Sequence, residues 1–174
     1  IGNDILMVEG LTKKGYFENI SFIVQRNDKI GFIGDKSTTI TMLFDVLTGK
    51  AEPDAGTVKW GKTITFSVLP QNNNEYFDGC DLNLVEWLFS GEEALKKAKV
   101  LSGGEKVRCM LAKMMLEGGN FLIFDEPTNH LDLESITALN TGMQNFKGCM
   151  LLTSHDQELM NTVATRIIEI NGTK

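Results

Sequence analysis

Two adjacent carboxylates, Asp125 and Glu126, follow a run of four apolar residues at 121–124. A short continuous apolar run bounded by turn-forming residues predicts a strand buried on both faces, as in a parallel sheet. Pro127 has no N–H to donate to a strand ladder, so the strand should end there and leave both carboxylates at its carboxyl end. We expect Asp125 to hold Mg²⁺ and Glu126 to orient or deprotonate an attacking water. The alternative is a solvated acidic turn after a core strand.

A second candidate site begins at Gly34, directly after another apolar strand pattern. A phosphate-binding loop has the form G-x-x-x-x-G-K-[ST] between a strand and a helix, and its backbone N–H groups, lysine and hydroxyl bind the phosphates and Mg²⁺. With Gly34 as the first glycine, Thr39 stands at the second, Ile40 at the lysine and Thr41 at the hydroxyl position. A helical apolar stripe follows and ends at Gly49, a typical helix stop. The sequence therefore predicts a phosphate loop that has its metal-binding hydroxyl but lacks its lysine.

Lys36 does not restore the missing lysine in this register, because that alignment would put Asp35 and Ile30 at the glycine positions. It can reach a phosphate from a different loop position, or it is a solvated loop lysine. Tyr16 can stack on an adenine base or belong to the core. The predicted nucleotide-binding residues are Tyr16, Gly34, Asp35, Lys36, Ser37, Thr38, Thr39, Ile40, Thr41 and Met42.

Two further polar residues follow predicted strands. Gln71 comes after an alternating strand at 63–69, and His155 comes after a buried strand at 149–153. Gln71 at a strand end can coordinate Mg²⁺, together with Thr41 and Asp125, and a neutral His155 can contact a γ-phosphate. We therefore expect the ends of four strands to converge at one edge of a parallel sheet.

A glycine pair opens a predicted helix in the segment LSGGE at 101–105. Ser102 is a suitable N-cap, and Glu105 follows three residues later. Gly103 and Gly104 would each cost about 1 kcal/mol relative to Ala in a purely structural helix. They are useful where a ligand approaches the backbone closely, and a helix N-terminus favours an anion. A capped surface helix is the alternative.

The composition is that of a soluble globular protein, with 42% hydrophobic and 23% charged residues among 174. We expect one domain, residues 1–174, without a membrane span or leader, because no apolar run approaches the roughly 18 residues that a span needs. The three cysteines, Cys80, Cys109 and Cys149, are widely spaced and odd in number, which favours reduced thiols and a cytoplasmic location. The net charge of −6 leaves any contact with RNA to a local patch or to a segment outside this chain.

Three motifs taken together resemble those of ATP-binding cassette (ABC) nucleotide-binding domains. LSGGE at 101–105, DEPTNHLD at 125–132 and TSHD at 153–156 are similar to the signature, the Walker B motif with its D-loop, and the switch histidine. The similarity extends over nearly the whole chain. Asn129-His130, with GEEALKKAKVLSGGEKVRCML and NHLDLESITALN, is similar to the second cassette of a bacterial ABC-F protein. That subfamily consists of soluble twin-cassette ATPases that act on ribosomes in translation and antibiotic resistance.

The resemblance implies an α/β fold with the P-loop NTPase-like core of an ABC ATPase. A parallel sheet flanked by helices, a small antiparallel β layer and a helical subdomain at about 75–115 that carries the signature are expected. That subdomain looks shorter than in the family near Leu88, and the region near Lys13 is short as well. The expected ligands are ATP and Mg²⁺, and the chain is expected to be part of a longer twin-cassette protein.

An ABC site is composite, because the phosphate loop of one cassette faces the signature of its companion cassette. The resemblance therefore assigns to the companion's site the signature residues Ser102, Gly103, Gly104 and Glu105. It assigns to this chain's own site the catalytic residues Gln71, Glu126 and His155. The isolated chain is accordingly expected to be a weak or inactive ATPase.

The hypothesis that the sequence favours is an ABC-F ATPase cassette whose phosphate loop (Walker A) is degenerate. Losing one charge-assisted phosphate contact lowers affinity by about 10–150-fold. An alternative is the ATP-binding subunit of an ABC transporter, against which Asn129-His130 counts, because transporter domains commonly have Ser-Ala there. Another is a non-hydrolytic, nucleotide-gated interaction domain, against which Glu126 and His155 count.

Overall fold

The computed structural model describes residues 4–69, Cys109, Leu111, Met114, 119–129 and 131–173. The elements whose bounds are described are β1 (Asp4–Lys13), β2 (Phe17–Gln25), β3 (Lys29–Ile33), α1 (Ser37–Thr48), β4 (Ala55–Trp60), β5 (Phe66–Leu69), β6 (Phe121–Asp125), α2 (Leu133–Asn145), β7 (Cys149–Thr153), α3 (Gln157–Val163) and β8 (Arg166–Glu169).

The strands form two sheets. One has three strands in the order β2-β1-β4, and the other has five in the order β5-β6-β7-β3-β8. Both pairings in the small sheet are antiparallel, whereas every pairing in the larger sheet is parallel. The predicted α/β architecture with a parallel core and a small antiparallel layer is confirmed.

The central strands of the parallel sheet explain the apolar runs in the sequence. Every residue of β6 and of β7 is buried, because both strands have neighbours on each side and packed layers on both faces. One hydrophobic cluster contains Phe121 and Ile123 of β6, and a second contains Leu122 and Phe124. The alternation of side chains along a strand thus divides β6 between two cores.

The connection between β1 and β2 is shorter than the sequence indicated. The polar, turn-rich sequence of residues 10–19 predicts a long connection between two short strands at 5–8 and 20–24, but β1 continues to Lys13 and β2 starts at Phe17. Leu11 and Phe17 are fully buried. Their burial stabilises the strands at these two positions, although the neighbouring residues are polar. The prediction of a long loop was therefore wrong, and the turn occupies residues 14–16.

The start and end of α1 follow different physical causes. Only residues 34–36 separate β3 from α1. A Cβ on Gly34 would lie 2.3 Å from the carbonyl oxygen of Ile170, so the segment after β8 requires a glycine there. Gly49 ends the helix in the left-handed conformation with φ of 83°, as the sequence predicted.

Lys29 connects the start of β3 to the last turn of α2. Its Nζ donates to the carbonyl oxygens of Met143 and Gln144 at 2.8 and 3.0 Å. These carbonyls would otherwise lack intrahelical partners. Burial lowers the pKa of the Lys29 ammonium. A side chain 114 residues earlier in sequence thus fixes α2 against the sheet.

No helix in the described ranges combines the length and apolar character that a membrane crossing needs. Three residues of the predicted helical subdomain, Cys109, Leu111 and Met114, are helical and buried. The remainder of 75–115 lies outside the described residues.

Candidate functional site

The candidate site lies where β3, β6 and β7 end. Because these strands are parallel, their carboxyl ends share one edge of the sheet. Asp125 at the end of β6 pairs with Thr153 at the end of β7. The loops after the three strands therefore meet at this edge, as the sequence predicted for Gly34, Asp125 and His155.

Thr41 and Asp125 meet directly. The Thr41 hydroxyl donates to Asp125 Oδ2 at 2.7 Å, across 84 residues of sequence. The carboxylate is buried, with 8% of Asp125 exposed. A hydroxyl and a carboxylate are the oxygen ligands that Mg²⁺ takes from the protein in nucleotide triphosphatases. The pair fits the metal end of such a site and favours the register that puts Thr41 at the hydroxyl position.

The side chain of Ile40 is buried in the core. Only 2% of Ile40 is exposed, and it packs in the hydrophobic cluster. Residues 40, 43, 44 and 47 are all buried, because this spacing places them on one face of α1. The Ile40 side chain is thus part of the core, and nucleotide binding at this loop position stays a prediction. Met42 also packs against this cluster, while half-buried.

The remaining loop residues carry little net charge. Asp35, Lys36, Ser37 and Thr38 are exposed, whereas Thr39 is buried. The Asp35 carboxylate accepts from Gly172 N at 3.0 Å. Lys36 is the N-cap residue of α1 and makes no side-chain capping bond. Lys36 therefore places a positive charge at the start of α1, and the negative charge of the neighbouring Asp35 carboxylate offsets it.

Tyr16 lies near the same segment through its backbone. Its carbonyl oxygen accepts from Thr173 N at 3.3 Å. Its side chain is half-buried and packs against the hydrophobic cluster. The structure thus supports the core alternative for Tyr16, and base stacking stays a prediction.

Glu126 and His155 form the second contact at this edge. His155 N donates to Glu126 Oε2 at 3.2 Å, and His155 Nε2 lies 3.3 Å from Glu126 Oε1. Glu126 is 7% exposed, whereas the His155 side chain is 82% exposed. Both carboxylate oxygens therefore face one histidine, which can itself turn towards a ligand outside.

The backbone of Glu126 is strained. Its φ is +50°, in the left-handed region that residues other than glycine rarely adopt. Such a conformation costs about 1–3 kcal/mol and persists only where surrounding contacts impose it. Glu126 N donates to Thr153 O at 2.9 Å, which is one such contact.

Several predicted site residues lie outside the described residues: Gln71, Ser102, Gly103, Gly104 and Glu105. The predicted metal ligands with described positions are Thr41 and Asp125. Within the described ranges, no group of three or more His, Cys, Asp or Glu residues can hold a metal ion. An ion at Thr41 and Asp125 would thus need oxygen ligands from a nucleotide, from water or from elsewhere in the chain.

Sequence reasoning did not single out Thr128 or Ser154. Their hydroxyl oxygens lie 3.0 Å apart, and Ser154 Oγ also accepts from Asp156 N at 3.1 Å. Their position in the two loops that carry Glu126 and His155 was visible in the sequence. Their pairing was not, because it depends on β6 and β7 being neighbours.

Asp132 is a titratable residue at the end of the loop after β6. Its Oδ1 accepts from Ser135 N at 2.8 Å and caps α2, and the Ser135 hydrogen bonds lower the pKa of Asp132. The stability that the Asp132 cap contributes is therefore present above the unfolded pKa of about 4 and is lost as pH falls through the folded pKa.

We expect the urea midpoint of unfolding to fall more in acid for the wild type than for Asp132→Asn, whose amide caps α2 without titrating. Parallel curves between pH 6 and 3 would contradict this.

The sequence of this chain is similar to those of known proteins. A family model described as ABC transporter matches residues 71–129. The uncharacterized ABC transporter ATP-binding protein YkpA of Bacillus subtilis (strain 168) is 54% identical over 195 residues, covering 98% of this chain and 36% of that protein. The energy-dependent translational throttle protein EttA of Mycobacterium tuberculosis (strain ATCC 25618 / H37Rv) is 32% identical over 198 residues, covering 99% and 36%. The chain thus spans about a third of the length of these relatives.

Solved structures share the fold. A nucleotide-free ATP-binding cassette from an ABC transporter superposes with a TM-score of 0.75 at 16% identity, over 98% of this chain and 90% of the other. A putative metal-chelate type ABC transporter in an inward-facing conformation gives a TM-score of 0.74 at 18% identity, over 97% and 80%.

Proposed function

Because this chain belongs to the family of ATP-binding cassette (ABC) domains, we propose that it is an ABC-F type cassette that binds ATP with Mg²⁺. It hydrolyses ATP at a composite site completed by a second cassette. Its own phosphate loop is degenerate, so its own site is the weaker of the two. In the longer protein it works in translation or antibiotic resistance, on the ribosome in the cytoplasm.

The observation that carries this proposal is that two consecutive carboxylates, Asp125 and Glu126, contact different residues. Asp125 turns to Thr41 at the start of α1, whereas Glu126 turns to His155 in the next loop. One residue step thus separates a metal-binding group from a group that can accept a proton. Phosphoryl transfer to water needs both within one site.

Each residue has a role that follows from its surroundings. Thr41 and Asp125 would hold Mg²⁺, which would neutralise charge on the phosphates. Glu126 takes a proton from the attacking water on its carboxylate. His155 holds Glu126 Oε2 through its backbone N–H, and its exposed ring can turn from Glu126 Oε1 to the terminal phosphate.

The loop after β3 explains why affinity should be low. With Ile40 in the core, no lysine side chain leaves α1 at that position to meet a phosphate. One missing charge-assisted hydrogen bond weakens binding by about 1.5–3 kcal/mol, or about 10–150-fold. The Asp35 carboxylate beside this loop adds a repulsive charge.

The ABC-F assignment is supported by EttA, whose name describes a translational throttle, and by Asn129-His130. The second candidate is the ATP-binding subunit of an ABC transporter. It is supported by the name of YkpA. The transporters among the solved structures are 18% identical or less, so they show the fold alone and do not favour either role.

The test compares ATP binding and hydrolysis by the chain with and without a separately purified second cassette that has an intact signature but a Gln in place of its own catalytic glutamate. We expect weak Mg²⁺-dependent ATP binding by the chain alone, and hydrolysis that rises at least about tenfold when the second cassette completes the site. Binding without hydrolysis in the mixture would favour a nucleotide-gated interaction domain. Absence of binding in both samples would reject the proposal. Co-sedimentation of the full-length protein with ribosomes, rather than with membranes, would separate the ABC-F role from the transporter role.

A further inference from the structure

The loops after β6 and β7 remain aligned beyond the end of the sheet. The regular pairing of these strands ends with Asp125 and Thr153. Pro127 has no N–H with which to extend the ladder. The hydroxyls of Thr128 and Ser154, 3.0 Å apart, connect the two loops at the next available position. A side-chain hydrogen bond thus joins the two loops beyond the point where the backbone ladder ends.

Ser154 connects this contact to a rigid part of the fold. Its Oγ accepts from Asp156 N at 3.1 Å, and Asp156 caps α3 by accepting from Leu159 N at 2.9 Å. Leu159, Met160 and Val163 anchor α3 in the core. Because the Ser154 oxygen is held by the backbone of this cap, the position of Thr128 is set by α3.

The two contacts lie on either side of the strained residue. Glu126 N bonds Thr153 O on the preceding side, and Thr128 bonds Ser154 on the following side. Between them, the Glu126 carboxylate reaches His155. A positive φ at a glutamate persists only where surrounding contacts impose it. Asn129 N also donates to Glu126 O at 3.2 Å within the same turn, and the Thr128–Ser154 contact ties this turn to the loop after β7.

We propose that Thr128 and Ser154 are positioning residues that hold Glu126 in its left-handed conformation and its carboxylate against His155. This inference rests on the proposed ATPase function, in which Glu126 acts on water. Neither hydroxyl touches Glu126 or His155 through its side chain in the contacts above. The two hydroxyls act through the backbone of the loops.

The kinetic test pairs the chain with a second cassette whose own catalytic glutamate is replaced by Gln, so that the measured turnover is that of the site built on Glu126. Thr128→Val removes the hydroxyl and keeps the shape, and Ser154→Ala removes the other partner. We expect each to lower kcat by about tenfold or more while KM for ATP changes by less than about threefold, because ground-state binding is not affected. Thr128→Ser should retain at least about half of the wild-type kcat. The double variant should be no slower than the slower single variant, because both remove one contact.

Thr137→Val is the matched control. The Thr137 hydroxyl donates to Leu133 O at 2.9 Å on the exposed side of α2, away from both loops. This variant loses the same type of group and should keep the wild-type kcat. Unchanged kcat in Thr128→Val, or equal losses in Thr128→Val and Thr128→Ser, would overturn the proposal.

A second measurement does not need turnover. The chain has two histidines, so a His130→Gln variant leaves the ring signals of His155 identifiable by NMR. We expect Thr128→Val to move the His155 ring signals at fixed pH, and Thr128→Ser and Thr137→Val to leave them in place. Unmoved signals in Thr128→Val would overturn the positioning role. If the wild type hydrolysed no ATP, the proposed function would fail, and the NMR result would still decide whether the hydroxyl pair holds Glu126 and His155.

Discussion

Glu126→Gln should lower kcat for ATP hydrolysis by about 10²–10⁴-fold, the usual contribution of a general base. The amide has the shape of the carboxylate and keeps an oxygen for the bond from His155 N, but it cannot accept a proton from water. Because the metal-binding contact between Thr41 and Asp125 is separate, ATP affinity should change by less than about threefold. Single-turnover hydrolysis and calorimetric titration with ATP and Mg²⁺ measure the two quantities, both with a second cassette whose own catalytic glutamate is replaced by Gln, so that only the site built on Glu126 turns over.

Glu134→Gln is the control for this change. Glu134 lies exposed in the first turn of α2, so the same loss of charge occurs close in sequence but outside the site. It should leave kcat unchanged. A Glu126→Gln variant that keeps more than about half of the wild-type kcat would show that another group accepts the proton.

Ile40→Lys should have two opposite effects. Without nucleotide, replacing a side chain that is 2% exposed in the core with a cation should cost about 3 kcal/mol, or roughly 6–12 °C in Tm. The ideal Cβ of Gly34 lies 3.5 Å from Ile40 Cδ1, and Gly34 is exposed. A flexible lysine therefore has a short route to the loop. With saturating ATP and Mg²⁺, the variant should regain about 1.5–3 kcal/mol more than the wild type gains.

Ile40→Met separates charge from packing in this experiment. Methionine has a similar length and no charge, so it should lower Tm by less and gain nothing extra from ATP. Thermal unfolding of wild type and both variants, with and without ATP and Mg²⁺, gives the comparison. An ATP-dependent gain in Ile40→Lys no larger than that in Ile40→Met would show that position 40 is not the lysine position of the loop.

Local sequence patterns predicted most of the elements because they depend on neighbours along the chain. The apolar runs at β6 and β7 predicted buried strands, and Gly49 predicted the end of α1. The prediction of a long loop at 10–19 was wrong because the burial of Leu11 and Phe17 is decided by packing in the hydrophobic cluster that both sheets share. Polar residues around them obscured that pattern.

The sequence by itself determined which chemical groups stand at the strand ends: Thr41 near one, Asp125 and Glu126 at another, and His155 after a third. Strand order then decided which of them touch. Thr41 meets Asp125 across 84 residues, Glu126 meets His155 across 29, and Thr128 meets Ser154 across 26. The tertiary structure also put Ile40 in the core. The physical reason is that side-chain periodicity is a local property, whereas pairing of strands distant in sequence is selected by how the whole chain buries its apolar surface.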